Sequence, residues 1–386
     1  MKKLLYLFAA VTLLASCAQE EVLVDTPVAN PTAPRLIGFE TFVNKSTRAT
    51  GTNSTALNDF YTTFNVYGWK TVNGDVSNVF NNVPVEFFAA DAAGKVVYTA
   101  GKPSDEWTFT ADSWYYENIR YWDQMASDYL FSAYVPAAAS SDVSCTEDGL
   151  IKIGSATDPI IVDDTNLMET PATALAYTGF DYDYMTATSD DLTSTGVIAS
   201  PVSLNFEHLQ AKLNIRIQLD DAVNTAQNVA IQKIEVHNLG DKAYYSNQAT
   251  SGVSGWNLGA ATETYVPTAD NVYSLNDATT NYNGYYVLEQ LIIPQNCTKY
   301  TGTDIPSLSE YQVACLYVEY TIGDETFKSY TPLANIFLDA TSTEGKYSFE
   351  GGNQYTINVI VGPKPIYFEA SVTKWEDAIE NNLDMN

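Results

Sequence analysis

Val202-Ser203-Leu204-Asn205-Phe206-Glu207-His208-Leu209-Gln210-Ala211-Lys212-Leu213-Asn214-Ile215-Arg216-Ile217-Gln218-Leu219 is the stretch that decides the fold. In its second half Leu213, Ile215, Ile217 and Leu219 fall on one side, and Lys212, Asn214, Arg216 and Gln218 on the other. Successive side chains of a strand point to opposite faces, so this is a strand with one buried and one wet face. Val202, Leu204 and Phe206 repeat the pattern upstream. The two runs read as the opening strand pair of a second β-domain, with the boundary near Ser200-Pro201.

Similar runs lie on both sides. Downstream they are Val229 to Val236, Tyr285 to Ile293, Val313 to Ile322, Tyr355 to Val361 and Ile366 to Thr373. Upstream they are Leu36 to Val43, Phe64 to Trp69 and Tyr129 to Val135. Gly, Pro, Asn and Asp separate them, and the 27 tyrosines join many Val, Ile and Thr in favouring strands. The chain is therefore expected to be all-β, with strands spaced as in a Greek-key β-sandwich. Its 386 residues suit two domains, placed at 36–200 and 201–386. Ala137 to Ala199, rich in Ser, Thr, Asp and Ala, reads as long loops and edge strands completing the first domain. The piece after Trp375, through Glu376 to Asn386, is short and polar.

The first 16 residues run from Lys2-Lys3 through an apolar stretch, Leu4 to Leu14, to Ala15-Ser16. That order predicts a secretory signal peptide, too short to span a bilayer as a stable helix. Residues 17–35, with Pro27, Pro31 and Pro34, form a polar tether that cannot bury enough apolar surface to fold. The formal charge is −28, and loss of Lys2 and Lys3 makes the chain more acidic still. Nucleic acid is excluded as a partner, because its affinity comes largely from cationic contacts to phosphate. Electrostatic docking on an anionic membrane is excluded for the same reason.

Catalytic signatures are absent. The two histidines, His208 and His237, lie in no H-E-x-x-H, and no G-x-S-x-G, Walker A or G-x-G-x-x-G occurs. Each is read as a strand residue meeting a neighbour or solvent. Carboxylates are plentiful, so a pair for glycoside hydrolysis stays open from sequence alone. Asp181-x-Asp183 followed by Asp190-Asp191 lacks the central glycine and distal Glu of a calcium loop, and reads as a solvated loop. Of the four cysteines, Cys17 follows the signal, and Cys145, Cys297 and Cys315 remain. A Cys297–Cys315 bridge is conceivable, but Cys315 sits in an apolar strand and reads as a buried free thiol. The aromatic run from Trp107 to Trp122 reads as core, with a sugar-stacking platform as its alternative. No enzyme activity, cofactor or metal is expected.

The chain has four arginines: Arg35, Arg48, Arg120 and Arg216. Arg120 and Arg216 lie beside or within strand patterns. Arg48 lies in a Ser/Thr/Gly/Asn-rich break just after the first strand, where nicking concentrates.

Four features together resemble one family. They are the Leu14-Ala15-Ser16-Cys17 ending of the signal, the segment Thr47-Arg48-Ala49-Thr50, the pattern V-x-L-x-F-x-H-x-x-x-K-L-x-I from Val202, and Gly351-Gly352-Asn353-Gln354-Tyr355 followed by Ile366 to Trp375. This set resembles the fimbrillin-like family of type V pilins and lipoprotein adhesins of Gram-negative bacteria, across nearly the whole chain. The resemblance implies two tandem transthyretin-like sandwiches after a signal and tether. It implies acylation at Cys17, with chains such as palmitate, and an outer-membrane or fimbrial location. It also implies cleavage between Arg48 and Ala49 by an arginine-specific protease, which removes the first strand with its anchor and opens a groove. A strand from another fimbrial subunit would fill that groove, with Leu36, Phe39 and Val43 the apolar residues that vacate it. The polar tail beyond Trp375 departs from what a donor strand needs. Two other readings stand beside this one: a surface lipoprotein that captures glycans, and a surface hydrolase.

Overall fold

A computed structural model describes residues 36–43, 57–59, 61–88, 113–161, 183–189, 192–193, 201–222, 227–249, 251–259, 263–265, 272–277, 281–301, 313–338, 342–362 and 366–374. The strands in the first half are β1 (Phe39–Val43), β2 (Thr63–Val72), β3 (Asp75–Phe88), β4 (Ser113–Tyr115), β5 (Asp128–Val135), β6 (Val143–Cys145), β7 (Ile151–Ile153), β8 (Ile160–Ile161), β9 (Met185–Thr188) and β10 (Leu192–Thr193). In the middle come β11 (Val202–His208), β12 (Ala211–Leu219), β13 (Val229–Leu239), β14 (Lys242–Ser246), β15 (Trp256–Leu258), β16 (Glu263–Tyr265) and β17 (Tyr273–Ser274). The last are β18 (Tyr286–Ile292), β19 (Gln295–Thr298), β20 (Cys315–Ile322), β21 (Glu325–Pro332), β22 (Lys346–Phe349), β23 (Asn353–Val361) and β24 (Tyr367–Lys374). Among the described residues one α-helix, α1 (Leu333–Phe337), and two short 3-10 turns at Leu57–Asp59 and Ala137–Ser141 interrupt them. The all-β expectation holds.

The second half pairs two sheets face to face. One runs β18-β12-β23-β24, the other β16-β13-β20-β21 with β17 attached to β13. Leu213, Ile215 and Ile217 of β12 are fully buried and share a cluster with Ile234, Val318, Ile357 and Val359. The face expected to be wet is not wet throughout: Lys212 is 8% and Asn214 1% exposed, with Lys212 Nζ 3.2 Å from Glu289 Oε1 on the neighbouring β18. The first half is one sheet, β1-β11-β9-β5-β2-β3-β4, with β10 attached to β5. It rolls far enough that Ile37, just ahead of β1, meets Arg120, just past β4. Its cluster is dominated by aromatic rings, among them Phe39, Phe64, Phe80, Trp114, Tyr116, Trp122, Phe131 and Phe206.

Two sequence readings are corrected here. Val202 to Leu219 is not one strand pair within a second domain. β11 joins the first sheet through β1 and β9, whereas β12 lies between β18 and β23. The chain passes from the first sheet to the second at Leu209-Gln210 and not at Ser200-Pro201. Residues 143–161 do not complete the first sheet either. β7 and β8 pair with β14 from the second half, in the sheet β15-β14-β7-β6. Alternation specifies which face is buried, and strands of two or three residues carry too little of it to name a partner.

The crossing is tightly held. Leu209 N–H donates to Tyr184 O (2.9 Å) and Gly352 N–H to Gln210 O (2.8 Å). The Trp256 indole donates to Leu209 O at 2.8 Å. Tyr184 N–H donates to Gln210 Oε1 at 2.9 Å. A Cβ on Gly351 would lie 2.5 Å from Leu209 O, so glycine is required there for the backbones to approach. A third cluster, with Tyr67, Tyr134, Ile153, Tyr184, Tyr245 and Trp256, packs residues of both halves around this point.

Candidate functional site

The first strand sits at the edge of the rolled sheet. β1 runs parallel to β11, with Phe39 opposite Val202 and Val43 opposite Phe206. Among the described residues no strand flanks its other edge. At its start Ile37 N–H donates to Arg120 O (3.0 Å). Tyr116 Oη donates to Ile37 O at 2.7 Å, and burial pushes this phenol's pKa up. Arg120 is fixed in turn by its Nε–H donating to Val79 O at 2.6 Å. Its guanidinium lies 4.5 Å from the centre of the Phe80 ring.

Inward-facing residues follow the two-residue period of a strand. Ile37, Phe39, Thr41 and Val43 are buried at 0%, 7%, 6% and 3% exposure. Leu36, expected in the slot, falls on the other parity and is only partly buried; Ile37 takes that place. The Phe39 ring meets Phe64, Phe80, Tyr116 and Phe131 edge-on, with centroids 5.8, 5.5, 5.9 and 5.9 Å away. Edge-to-face contacts suit the ring quadrupoles. Burying each of Ile37, Phe39 and Val43 stabilises by roughly 1.5–3 kcal/mol. β1 is thus a plug: apolar residues on one side and a backbone ladder on one edge.

The last strand is the reverse. β24 forms the edge of its own sheet beside β23, and most of its residues are exposed, Val372 at 46%. Phe368 is partly buried against the second-half cluster. Tyr367 Oη donates to Asp220 Oδ2 at 2.6 Å. This bond pushes the phenol up to about 12 and holds the Asp220 carboxyl below its ordinary value.

The two strands share a sequence that reading by eye missed. Ile37-Gly38-Phe39-Glu40-Thr41-Phe42-Val43 aligns with Ile366-Tyr367-Phe368-Glu369-Ala370-Ser371-Val372. Ile, Phe and Val coincide at three of the four slot positions, Glu coincides at an outward position, and Thr41 is replaced by Ala370. The signal lay in comparing the two end strands position by position.

The expected maturation residues Cys17, Arg48 and Ala49 lie outside the described residues. Asp181, Asp190 and Asp191 do too, but Asp183 is no solvated loop residue. It is 3% exposed and 3.0 Å from His208 Nδ1, inside the junction. His237 Nε2 lies 2.8 Å from Glu235 Oε2, whose other oxygen takes Lys233 at 2.6 Å. Both histidines therefore meet strand neighbours. Cys145, Cys297 and Cys315 are free thiols. Burial pushes Cys297 up to about 12 and Cys315 to about 11, which leaves both unreactive at neutral pH. No cluster of three or more metal-ligating side chains occurs among the described residues. Trp114, Tyr115, Tyr116 and Trp122 are core, and Trp107 lies outside the described residues. The exposed tyrosines Tyr121, Tyr285 and Tyr367 are dispersed, Tyr121 beside Leu36 and the other two at opposite edges of the β18–β24 sheet, so they form no platform.

Residues 47–375 match the family model described as fimbrillin-like. Over 143 residues the chain is 27% identical to Fimbrium subunit Fim1C of Phocaeicola vulgatus, taking in 37% of this chain and 32% of that protein. The chain therefore aligns with about a third of that relative's length. A fimbrial protein from Bacteroides vulgatus shares the fold, with a TM-score of 0.51 and 16% identity over 88% of this chain and 99% of its own. A candidate cell adhesion protein from Bacteroides uniformis gives a TM-score of 0.45 at 16% identity, over 90% of this chain and all of its own. Matched over most of its length, the chain belongs to the fimbrillin-like family.

Proposed function

We propose that this chain is a lipid-anchored fimbrial subunit or adhesin that assembles by strand exchange. In this reading β1 is the resident strand and β24 of a second copy is the donor. The correspondence of Ile37, Phe39 and Val43 with Ile366, Phe368 and Val372 carries the reading. An opened sheet presents unpaired N–H and C=O groups beside an apolar slot, and a strand with matching residues satisfies both. Contacts of this head-to-tail kind do not close, so they extend into a filament. Because β24 precedes the polar residues 376–386, the tail need not supply the donor.

Arg48 is the switch. While the chain is continuous, β1 stays at high effective concentration beside its slot and outcompetes other strands. Cleavage between Arg48 and Ala49 ends that advantage and frees the body from the acyl anchor at Cys17. Purified precursor treated with an arginine-specific protease is expected to lose its first strand and gain mass by light scattering. It should also take up a labelled peptide of residues 366–374. Arg48→Lys should stay uncut, monomeric and folded. Cleavage at Arg48 with neither polymerisation nor peptide uptake refutes strand exchange. Cys17→Ser should move the protein out of the membrane fraction, and unchanged fractionation refutes the anchor.

A further inference from the structure

The slot holds one residue that does not suit it. Thr41 is 6% exposed, in line with the apolar Phe39 and Val43 of β1 and Ile37 just ahead of it. Its hydroxyl is buried and has no hydrogen-bond partner among the described residues. A hydroxyl buried without a partner forfeits its hydrogen bonds to water and gains nothing in exchange. At the matching position β24 carries Ala370, with no hydroxyl.

We infer that Thr41 is a built-in flaw in the resident strand that biases exchange toward the incoming one. The inference rests on the strand-exchange reading and specifies its driving force. Resident and donor present the same anchors at three slot positions, so those contacts cancel when one replaces the other. The fourth position decides. Ala370 forgoes the one methyl that Thr41 buries, a smaller loss than an unmet hydroxyl imposes. Before cleavage the flaw is masked, because a tethered strand competes at high effective concentration. After cleavage both strands are free, and the strand without the hydroxyl is favoured. Valine at position 41 would fill the same shape and remove the flaw. The resident would then match the donor's apolar character, and exchange would lose its direction.

Two independent arms test this on the full-length chain. Thr41→Val should raise the melting temperature of the uncut protein; this arm needs no cleavage. After cutting, uptake of labelled 366–374 peptide by Thr41→Val should fall at least about tenfold relative to the parent chain. In the reciprocal arm the parent chain is cut and offered peptides altered at one position. The Ala370→Thr peptide should bind about tenfold more weakly than the parent peptide, and the Ala370→Val peptide at least as tightly. This arm leaves the folded chain untouched, so it reads out even where a variant protein folds poorly. Unchanged melting temperature together with equal uptake of the Ala and Thr peptides overturns the role of Thr41 while leaving strand exchange standing. No uptake of any peptide by the cut parent chain overturns the strand-exchange reading and this inference with it.

Discussion

β1 and β24 carry nearly the same slot residues and live in opposite surroundings. Phe39 is caged by four rings, whereas Phe368 is only partly covered. Val43 is 3% exposed and its counterpart Val372 is 46% exposed. The difference shows that burial belongs to the place a strand occupies, not to its sequence. A strand patterned for a core yet left outside one is unspent pairing capacity, which natural sheets ordinarily blunt at their edges.

The contrast breaks most sharply at the phenylalanines. Phe39→Ala should destabilise the chain by about 3–5 kcal/mol in denaturant unfolding, since it empties a fully packed cage. Phe368→Ala should cost less, about 1–3 kcal/mol, because its ring is only partly buried against the second-half cluster and leaves no enclosed cavity. Equal losses at the two positions would erase the distinction. Next comes the clamp at the start of β1. Tyr116→Phe keeps the ring but strips the donor from Ile37 O, a loss of about 1–3 kcal/mol. Amide exchange should show β1 loosening at its Ile37 end while β24 is unaffected. The smallest effect belongs to the tie between Tyr367 and Asp220. Asp220 titrates below its ordinary 3.8, so its contribution is present above that value and is lost as pH falls through the depressed one. Tyr367 is raised to about 12, so its share is full below the ordinary phenol range and lost only as pH rises through about 12. Protection of β24 amides, corrected for intrinsic rates, should therefore drop as pH falls below about 3.8 while β1 protection holds. Parallel losses in both strands would contradict this.

The strands readable in sequence were those whose two-residue period is unbroken, as from Leu213 to Leu219. β3 escaped notice although it is 14 residues long, because register shifts around Gly68 in β2 break the pairing and the apolar residues change parity. Its signal was the turn, Asn73-Gly74, where φ is 53° and 90°. Asn-Gly marks a tight hairpin more surely than the strands beside it do. At the slot, Phe39 and Val43 were legible, while Ile37 was exchanged for Leu36 because Gly38 hides which parity faces in. The partnership of β11 with β1, across more than 150 residues of chain, leaves no local trace in either segment. The flaw at Thr41 was equally silent, since a threonine in a strand is ordinary until its hydroxyl is found alone.

The two-residue crossing at Leu209-Gln210 has a mechanical consequence. β1 lies parallel to β11; under the proposed exchange, a donor seated in the same direction would be sheared along its ladder by tension, loading its rungs together instead of peeling them one by one. β11 runs directly into β12, and Trp256, Tyr184 and Gly352 brace the link between them, leaving no slack segment to unravel first. β12 lies beside β23, which carries β24. In a filament the line of force would enter at one end strand and leave through the other, by way of two adjoining sheets and a joint that does not stretch.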